Sequence, residues 1–187
     1  MEETKMRAAS LKRKTKETDI SIKIDLDGTG ASAVCVDDQF FKHMLETFSR
    51  YSSFDLNITA TGDNTHHLIE DVAIALGRAF KSALGEEPVE RVSFFTLPMD
   101  DALVMASVDI VDRPWCDADC PDDLYLHFFR SFSMASGITL HILVYRGFDD
   151  HHIIEASFKA LGKALKNAVV VRKDLLSTKS KVIMESD

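Results

Sequence analysis

HHLIEDVAIALGRAFKSAL, residues 66–84, and HHIIEASFKALGKALKNAV, residues 151–169, are two versions of one segment. Laid over each other at an offset of 85, they agree at ten of 19 positions, among them His66/His151, His67/His152, Glu70/Glu155 and the Ala-Leu-Gly of 75–77 and 160–162. Two amphipathic helices share Ala and Leu by chance, but not His-His and Glu at matching places. Upstream the match continues at an offset of 84, where FFKHMLETFS (40–49) lies over LYLHFFRSFS (124–133) and His43 pairs with His127. The same offset sets Glu17 over Asp101 and Ile24-Asp25-Leu26 over Val108-Asp109-Ile110. Self-similarity at a fixed offset marks an internal duplication.

Working outward from the repeat, each copy reads as strand, helix, strand, helix. Residues 19–26 alternate apolar and polar and are expected to be a strand closed by the Asp27-Gly28 turn. Phe40, Phe41, Met44, Leu45 and Phe48 have helical spacing over 39–51, and 54–60 alternates again. From His66 to Leu84 the apolar residues Ile69, Val72, Ala73, Leu76, Phe80 and Ala83 recur at threes and fours, with Gly85 as the stop. The second copy gives a strand at 102–110, a helix at 123–135, a strand at 138–145 and a long helix at 150–170, with one more strand at 89–97. The expected class is α+β: an internally duplicated subunit, two sheet-and-helix halves with the helices on one face. The halves are expected at 13–88 and 89–179 in one compact unit, with tails at 1–12 and 180–187.

Composition narrows the function. The 187 residues carry 22 Lys+Arg against 30 Asp+Glu, a net charge of −8, which argues against a nucleic-acid binder. No apolar run approaches the ~20 residues of a membrane span, and the N-terminal MEETKMRAASLKRKTKE has no apolar stretch of a secretory signal. Cys35, Cys116 and Cys120 are too few for a disulfide framework and fit a reduced cytoplasm.

The histidines carry the chemistry. In a helix, His66 and Glu70 are i and i+4 and share a face, while His67 is turned away by roughly 100°. One ion is expected to take His66 with Glu70, another His151 with Glu155. His67 and His152 point to a different ion or neighbour, and His43 and His127 each add an imidazole. Eight donors shared between two ions give four each, and an octahedral ion would keep two positions open for a chelating substrate. Imidazole with carboxylate and no thiolate suits Mn, Fe, Ni or Zn, with six-coordination favouring Mn or Fe. His141 lies over Asn57, has no repeat partner, and is expected to be an ordinary strand histidine.

These residues resemble a known family. The runs from His66 to Gly77 and from His151 to Leu165, with RKTKET (13–18), Pro98-Met99-Asp100-Asp101, Arg113-Pro114, LHFFRSF (126–132) and Ser177-Thr178-Lys179, are similar to imidazoleglycerol-phosphate dehydratases of histidine biosynthesis. The resemblance spans about 13 to 179. It implies the fold of the second domain of ribosomal protein S5, and two Mn2+ per subunit held between subunits. It also implies a large octahedral assembly of trimers and a dehydratase that turns imidazole glycerol phosphate into imidazole acetol phosphate and water. Glu17, in the family-like Thr-Lys-Glu-Thr run, is the first candidate for acid/base work and for substrate contact. Glu155 is second, being a poorer base if it holds metal, and Asp101, the repeat partner of Glu17, is third. For the substrate phosphate the family match implies Arg91, Arg113, Lys159, Ser177, Thr178 and Lys179. Lys159 stands where the first copy has Ile74. The sequence departs from the family at Lys42, where Asp is usual, at Thr47 (Gln), at Tyr51 (His) and at Ser180 (Gly). The loop Gly62-Asp63-Asn64-Thr65 also lacks the usual acidic insert. The alternative readings are a metal-binding structural or storage assembly of the same fold without lyase activity, and a hydrolase working through a bridging hydroxide.

Overall fold

A computed structural model describes residues 7–174. The first half consists of β1 (Ala8–Lys14), β2 (Thr18–Asp25), β3 (Ser32–Cys35), α1 (Gln39–Ser52), β4 (Asp55–Gly62) and α2 (Thr65–Leu84). The second half repeats that order as β5 (Val92–Met99), β6 (Ala102–Ile110), β7 (Trp115–Ala118), α3 (Asp123–Ser136), β8 (Ile138–Arg146) and α4 (Asp150–Ala168). Each half forms one four-stranded sheet, β1-β2-β4-β3 and β5-β6-β8-β7, antiparallel except for β3 on β4 and β7 on β8.

The alternation in β2 decides which way its sheet faces. Ile20, Ile22 and Ile24 are buried, while Asp19 and Lys23 between them face solvent. Helix α2 covers β1 and β2, and α1 covers β3; α4 covers β5 and β6, and α3 covers β7 and β8. The helices also pack on one another across the halves, α1 against α4 and α2 against α3. The result is one helical layer between two sheets, with helices on a single face of each. Its centre is a cluster of buried rings that includes Phe48, Phe54, Phe80, Phe128, Phe132 and Phe158.

Two repeat-related glycines allow the helices to come this close. A Cβ on Gly77 would meet the Phe132 carbonyl oxygen at 2.7 Å, and one on Gly162 would meet the Ser52 amide nitrogen at 3.0 Å and the Phe48 carbonyl oxygen at 3.1 Å. The helix starts are fixed by Asp38, Asn64, Asp122 and Asp149, whose side chains accept from first-turn amides. Asn64 and Asp149 thereby put both His-His pairs in the first turns of α2 and α4.

The repeat and the eight long elements expected from the sequence are present. The tail expected at 1–12 is corrected: Ala8–Lys14 is a full edge strand paired with β2 from Ala8↔Asp25 to Lys14↔Asp19. The first sheet thus begins before the expected start at residue 13. The strand expected at 89–97 begins at Val92, after Arg91, which has φ 71. Strands β3 and β7 were not expected at all. Ser177, Thr178, Lys179 and the expected tail 180–187 lie outside the described residues. Among the described residues no helix is long and apolar enough to cross a membrane.

Candidate metal centre

The helix pairing joins donors from opposite halves. His43 on α1 meets His151 and Glu155 on α4: both Nε2 atoms lie 3.4 Å from Glu155 Oε2. The three donor atoms all fall within 4.8 Å of one another. Metal–ligand bonds of about 2.0–2.2 Å place two donors on one ion up to about 4.4 Å apart, so this set fits a divalent ion after shifts of a few tenths of an ångström. The other cluster is its counterpart. His66 Nε2 lies 3.7 Å from Glu70 Oε2, and the ring of His127, on α3, lies 5.1 Å from that of His66. Sequence spacing paired each histidine with its own Glu, but it could not say that the third imidazole would come from the other copy.

The two carboxylates differ. The Glu70 side chain is 39% exposed, the Glu155 side chain 8%. Burial pushes the Glu155 carboxyl up, but the ammonium of Lys159, 2.8 Å from Oε1, and then His43 outweigh it and bring it below its usual value. Lys159 is itself buried, against the Met99 sulfur and over the Tyr51 ring. In this chain the cation expected at the phosphate is therefore ion-paired to Glu155, with Oε2 left toward the imidazoles.

His67 and His152 turn away from these clusters, as the 100° step requires. His67 Nδ1 lies 2.8 Å from Asp63 Oδ1, 2.8 Å from Asn64 Nδ2 and 3.8 Å from Glu17 Oε2. The Asp63 hydrogen bond holds the His67 pKa above the ordinary value. His152 Nδ1 lies 2.5 Å from Asp101 Oδ1, and its Nε2 lies 3.3 Å from Asp100 Oδ2. The other Asp101 oxygen accepts from the amides of Phe148 and Asp149, at 2.5 and 3.2 Å. The His152 contact, with those amides, pulls the Asp101 carboxyl down to about 2. So firmly engaged, Asp101 is a weak base, whereas Glu17, 54% exposed, faces outward.

The remaining expected residues do not join the clusters. The Arg91 amide donates to Ala168 O at the end of α4, and its guanidinium pairs with Asp109 at 2.7 Å. His151 is in the first turn of the same 19-residue helix, so the two lie roughly 25 Å apart at about 1.5 Å per residue. Arg113 follows Asp112, which pairs with Lys81 in the last turn of α2, and its carbonyl accepts from Thr139 at 2.9 Å. Both arginines thus sit at the end of the molecule opposite the histidines. His141 is on the outer face of the second sheet, 3.9 Å from Asp117. The three cysteines are free. Burial raises the thiol of Cys116, and that of Cys120 to about 11.

Sequence reading missed two carboxylates. In sequence Asp63 is only part of the short loop before His66. Asp71 is buried on the inward face of α2, where Arg13 reaches it at 2.6 Å and Thr18 donates to it at 2.5 Å, tying the two strands that flank the Glu17 turn to the helix that carries His67. Its signal was an Asp on the inward face of an otherwise apolar helical stripe.

Fold and site together define a duplicated α+β enzyme with imidazole–carboxylate clusters at its helix starts. A sequence model of imidazoleglycerol-phosphate dehydratase matches residues 37–165. The imidazoleglycerol-phosphate dehydratase of Caldanaerobacter subterraneus subsp. tengcongensis is 46% identical over 178 residues, covering 88% of this chain and 92% of that protein. The one from Dehalococcoides mccartyi is 39% identical over 193 residues, covering 96% and 98%. The crystal structure of IGPD from Pyrococcus furiosus in complex with (S)-C348 superposes with a TM-score of 0.83 at 37% identity, covering 92% of this chain and all of that one. The Staphylococcus aureus enzyme gives 0.80 at 30% identity, covering 88% and 99%. The chain belongs to the imidazoleglycerol-phosphate dehydratase family and is a hydro-lyase of histidine biosynthesis.

Proposed function

We propose that this chain dehydrates imidazole glycerol phosphate to imidazole acetol phosphate with two divalent ions per subunit, Mn2+ first and Fe, Ni or Zn as substitutes. The observation that carries the reading is the convergence of His43, His151 and Glu155 from opposite halves within 4.8 Å. His66, Glu70 and His127 form the second set, and His67 and His152 reach toward a neighbouring copy. A divalent ion held by these residues would supply Lewis acidity, drawing charge from the substrate's imidazole ring.

The chain's own residues supply the rest. The reaction removes a proton from one substrate carbon and a hydroxyl from the next, releasing water. Glu17 is our candidate to move that proton: its carboxylate is exposed and its ion-pair contact among the described residues is His67 at 3.8 Å, whereas Asp101 is held by His152 and two amides and Glu155 by Lys159. Arg91, Arg113 and Lys179, with Ser177 and Thr178, hold the phosphate; arginine suits it by bidentate contact. Lys159 serves the same site by holding Glu155.

Because Arg91 and Arg113 lie at the far end of the chain from the histidines, a site that needs both is built between copies. Two surfaces favour such a homo-oligomer. Phe148, three residues before His151, is 94% exposed. The outer face of the second sheet is apolar, with Phe94, Leu143 and Tyr145 where the first sheet has Ser10, Thr59 and Thr61. The assembly we infer is octahedral, made of trimers, and it works in the cytoplasm. The test is turnover: chelator-stripped protein given imidazole glycerol phosphate is expected to be inactive and to form the ketone product once Mn2+ is added. Activity undiminished by stripping overturns metal dependence, and Mn2+-loaded protein without turnover overturns the substrate.

A further inference from the structure

The two halves treat their second histidines alike but with carboxylates of different origin. In the second half the partner of His152 is Asp101, which comes from the β5–β6 turn and is fixed by two backbone amides. Its repeat counterpart is Glu17, which would be expected to hold His67. It does not: Glu17 Oε2 stays 3.8 Å from His67 Nδ1, and Asp63 Oδ1 takes the 2.8 Å position. Asp63 is itself held, its amide donating to Glu17 O at 2.9 Å across the register that pairs Thr18 with Gly62. The short loop that brings Asp63 four residues before His67 is the one that departs from the family pattern.

We propose that Asp63 and Asp101 are matched positioning residues, each accepting a hydrogen bond from the Nδ1–H of its histidine so that Nε2 is the nitrogen offered to a metal, and that Asp63, by doing this in the first half, frees Glu17 for the substrate. A metal-bound imidazole is generally oriented by a carboxylate or carbonyl on its other nitrogen. The rival at His67 is Asn64. Its Oδ1 accepts the His67 amide at 2.9 Å as the helix cap, which leaves Nδ2 2.8 Å from Nδ1. If Asn64 donated to Nδ1, the proton would sit on Nε2 and that nitrogen could not bind metal. The Asp63 carboxylate can only accept, so its 2.8 Å hydrogen bond to Nδ1 selects the opposite tautomer. The inference rests on the metal reading above.

The experiment is an Mn2+ titration of the stripped full chain, followed by electron paramagnetic resonance of the free ion. Wild type is expected to bind two Mn2+ per chain. Asp63→Asn and Asp101→Asn are each expected to weaken one of the two on the order of 10–100-fold, the usual cost of losing such a partner. Asp63→Glu is expected to recover most of the loss, which separates positioning from folding. Asn64→Ser, which keeps a capping oxygen and removes the amide, is expected to bind at least as tightly as wild type. Glu17→Gln is expected to leave Mn2+ binding unchanged while reducing turnover. Unchanged binding in Asp63→Asn, or a loss in Glu17→Gln or Asn64→Ser, overturns the assignment with the metal reading intact. A wild-type chain that binds no Mn2+ overturns both.

Discussion

At the scale of single residues, the histidines were legible because the repeat made each a control for another. His141 has no counterpart and stands apart from the clusters, whereas His43 and His127, 84 residues apart, both reach one. What sequence could not show was the partner of each imidazole, since Asp63 and Asp101 reach theirs through loop geometry rather than spacing. The Asp101–His152 pair predicts a pH effect on the metal-free protein. The carboxyl is depressed to about 2 and the imidazole raised above 6.5, each mainly by the other. A depressed carboxyl stabilises above its unfolded value, and that gain is lost as pH falls toward 2. A raised imidazole stabilises below its unfolded value, and that gain is lost as pH climbs through the folded one. Both contributions are complete between about pH 4 and 6.5. Melting of stripped wild type against Asp101→Asn is therefore expected to differ most near pH 5, with the gap shrinking toward pH 2 and above neutrality. A gap that is constant with pH would mean that the lost amide contacts, and not the ion pair, set the difference.

At the scale of elements, strand β1 was within reach of the sequence. The offset of 84 that matched the later elements carries Val92 back to Ala8, and Ile110 N bonds to Arg91 O just as Leu26 N bonds to Arg7 O. The outward Lys12 and Lys14 and the inner-side Arg13 obscure its alternation, because an edge strand with few large apolar side chains has little of the usual signal. Strands β3 and β7 have four residues each, too few to establish a period. The reason both copies carry an Ala-Leu-Gly step lies in tertiary contact, since the helices touch at Gly77 and at Gly162. Gly77→Ala is expected to cost about 1–3 kcal/mol, the range for overpacking, because its Cβ would meet a backbone carbonyl that cannot move aside. Gly162→Ala is expected to cost less, its nearest atoms lying at 3.0 Å rather than 2.7 Å. Urea midpoints of the two variants check the order; equal midpoints to wild type would mean that α2 and α3 separate without cost.

At the scale of the whole molecule, the account turns on one fact of layout: the imidazole clusters are at the N-terminal ends of the helices and Arg91 is at the C-terminal end of α4, beside Ala168. The repeat could show that two half-sites exist but not that the phosphate cations lie at the other end, because that depends on how long helices carry the chain across the fold. If the catalytic site is shared between copies, two chains that are each inactive can repair one another. His151→Ala lacks a metal donor but keeps its Arg91, and Arg91→Ala keeps its histidines. The deciding measurement is turnover of imidazole glycerol phosphate, with Mn2+ present, by assemblies formed from equal amounts of the two variants after dissociation and reassembly. Random mixing in a site that draws the two groups from different copies predicts activity at about one quarter of the wild-type sites. Mixed assemblies as inactive as either parent, from variants shown by light scattering to have co-assembled, would contradict the account and return the whole site to a single chain.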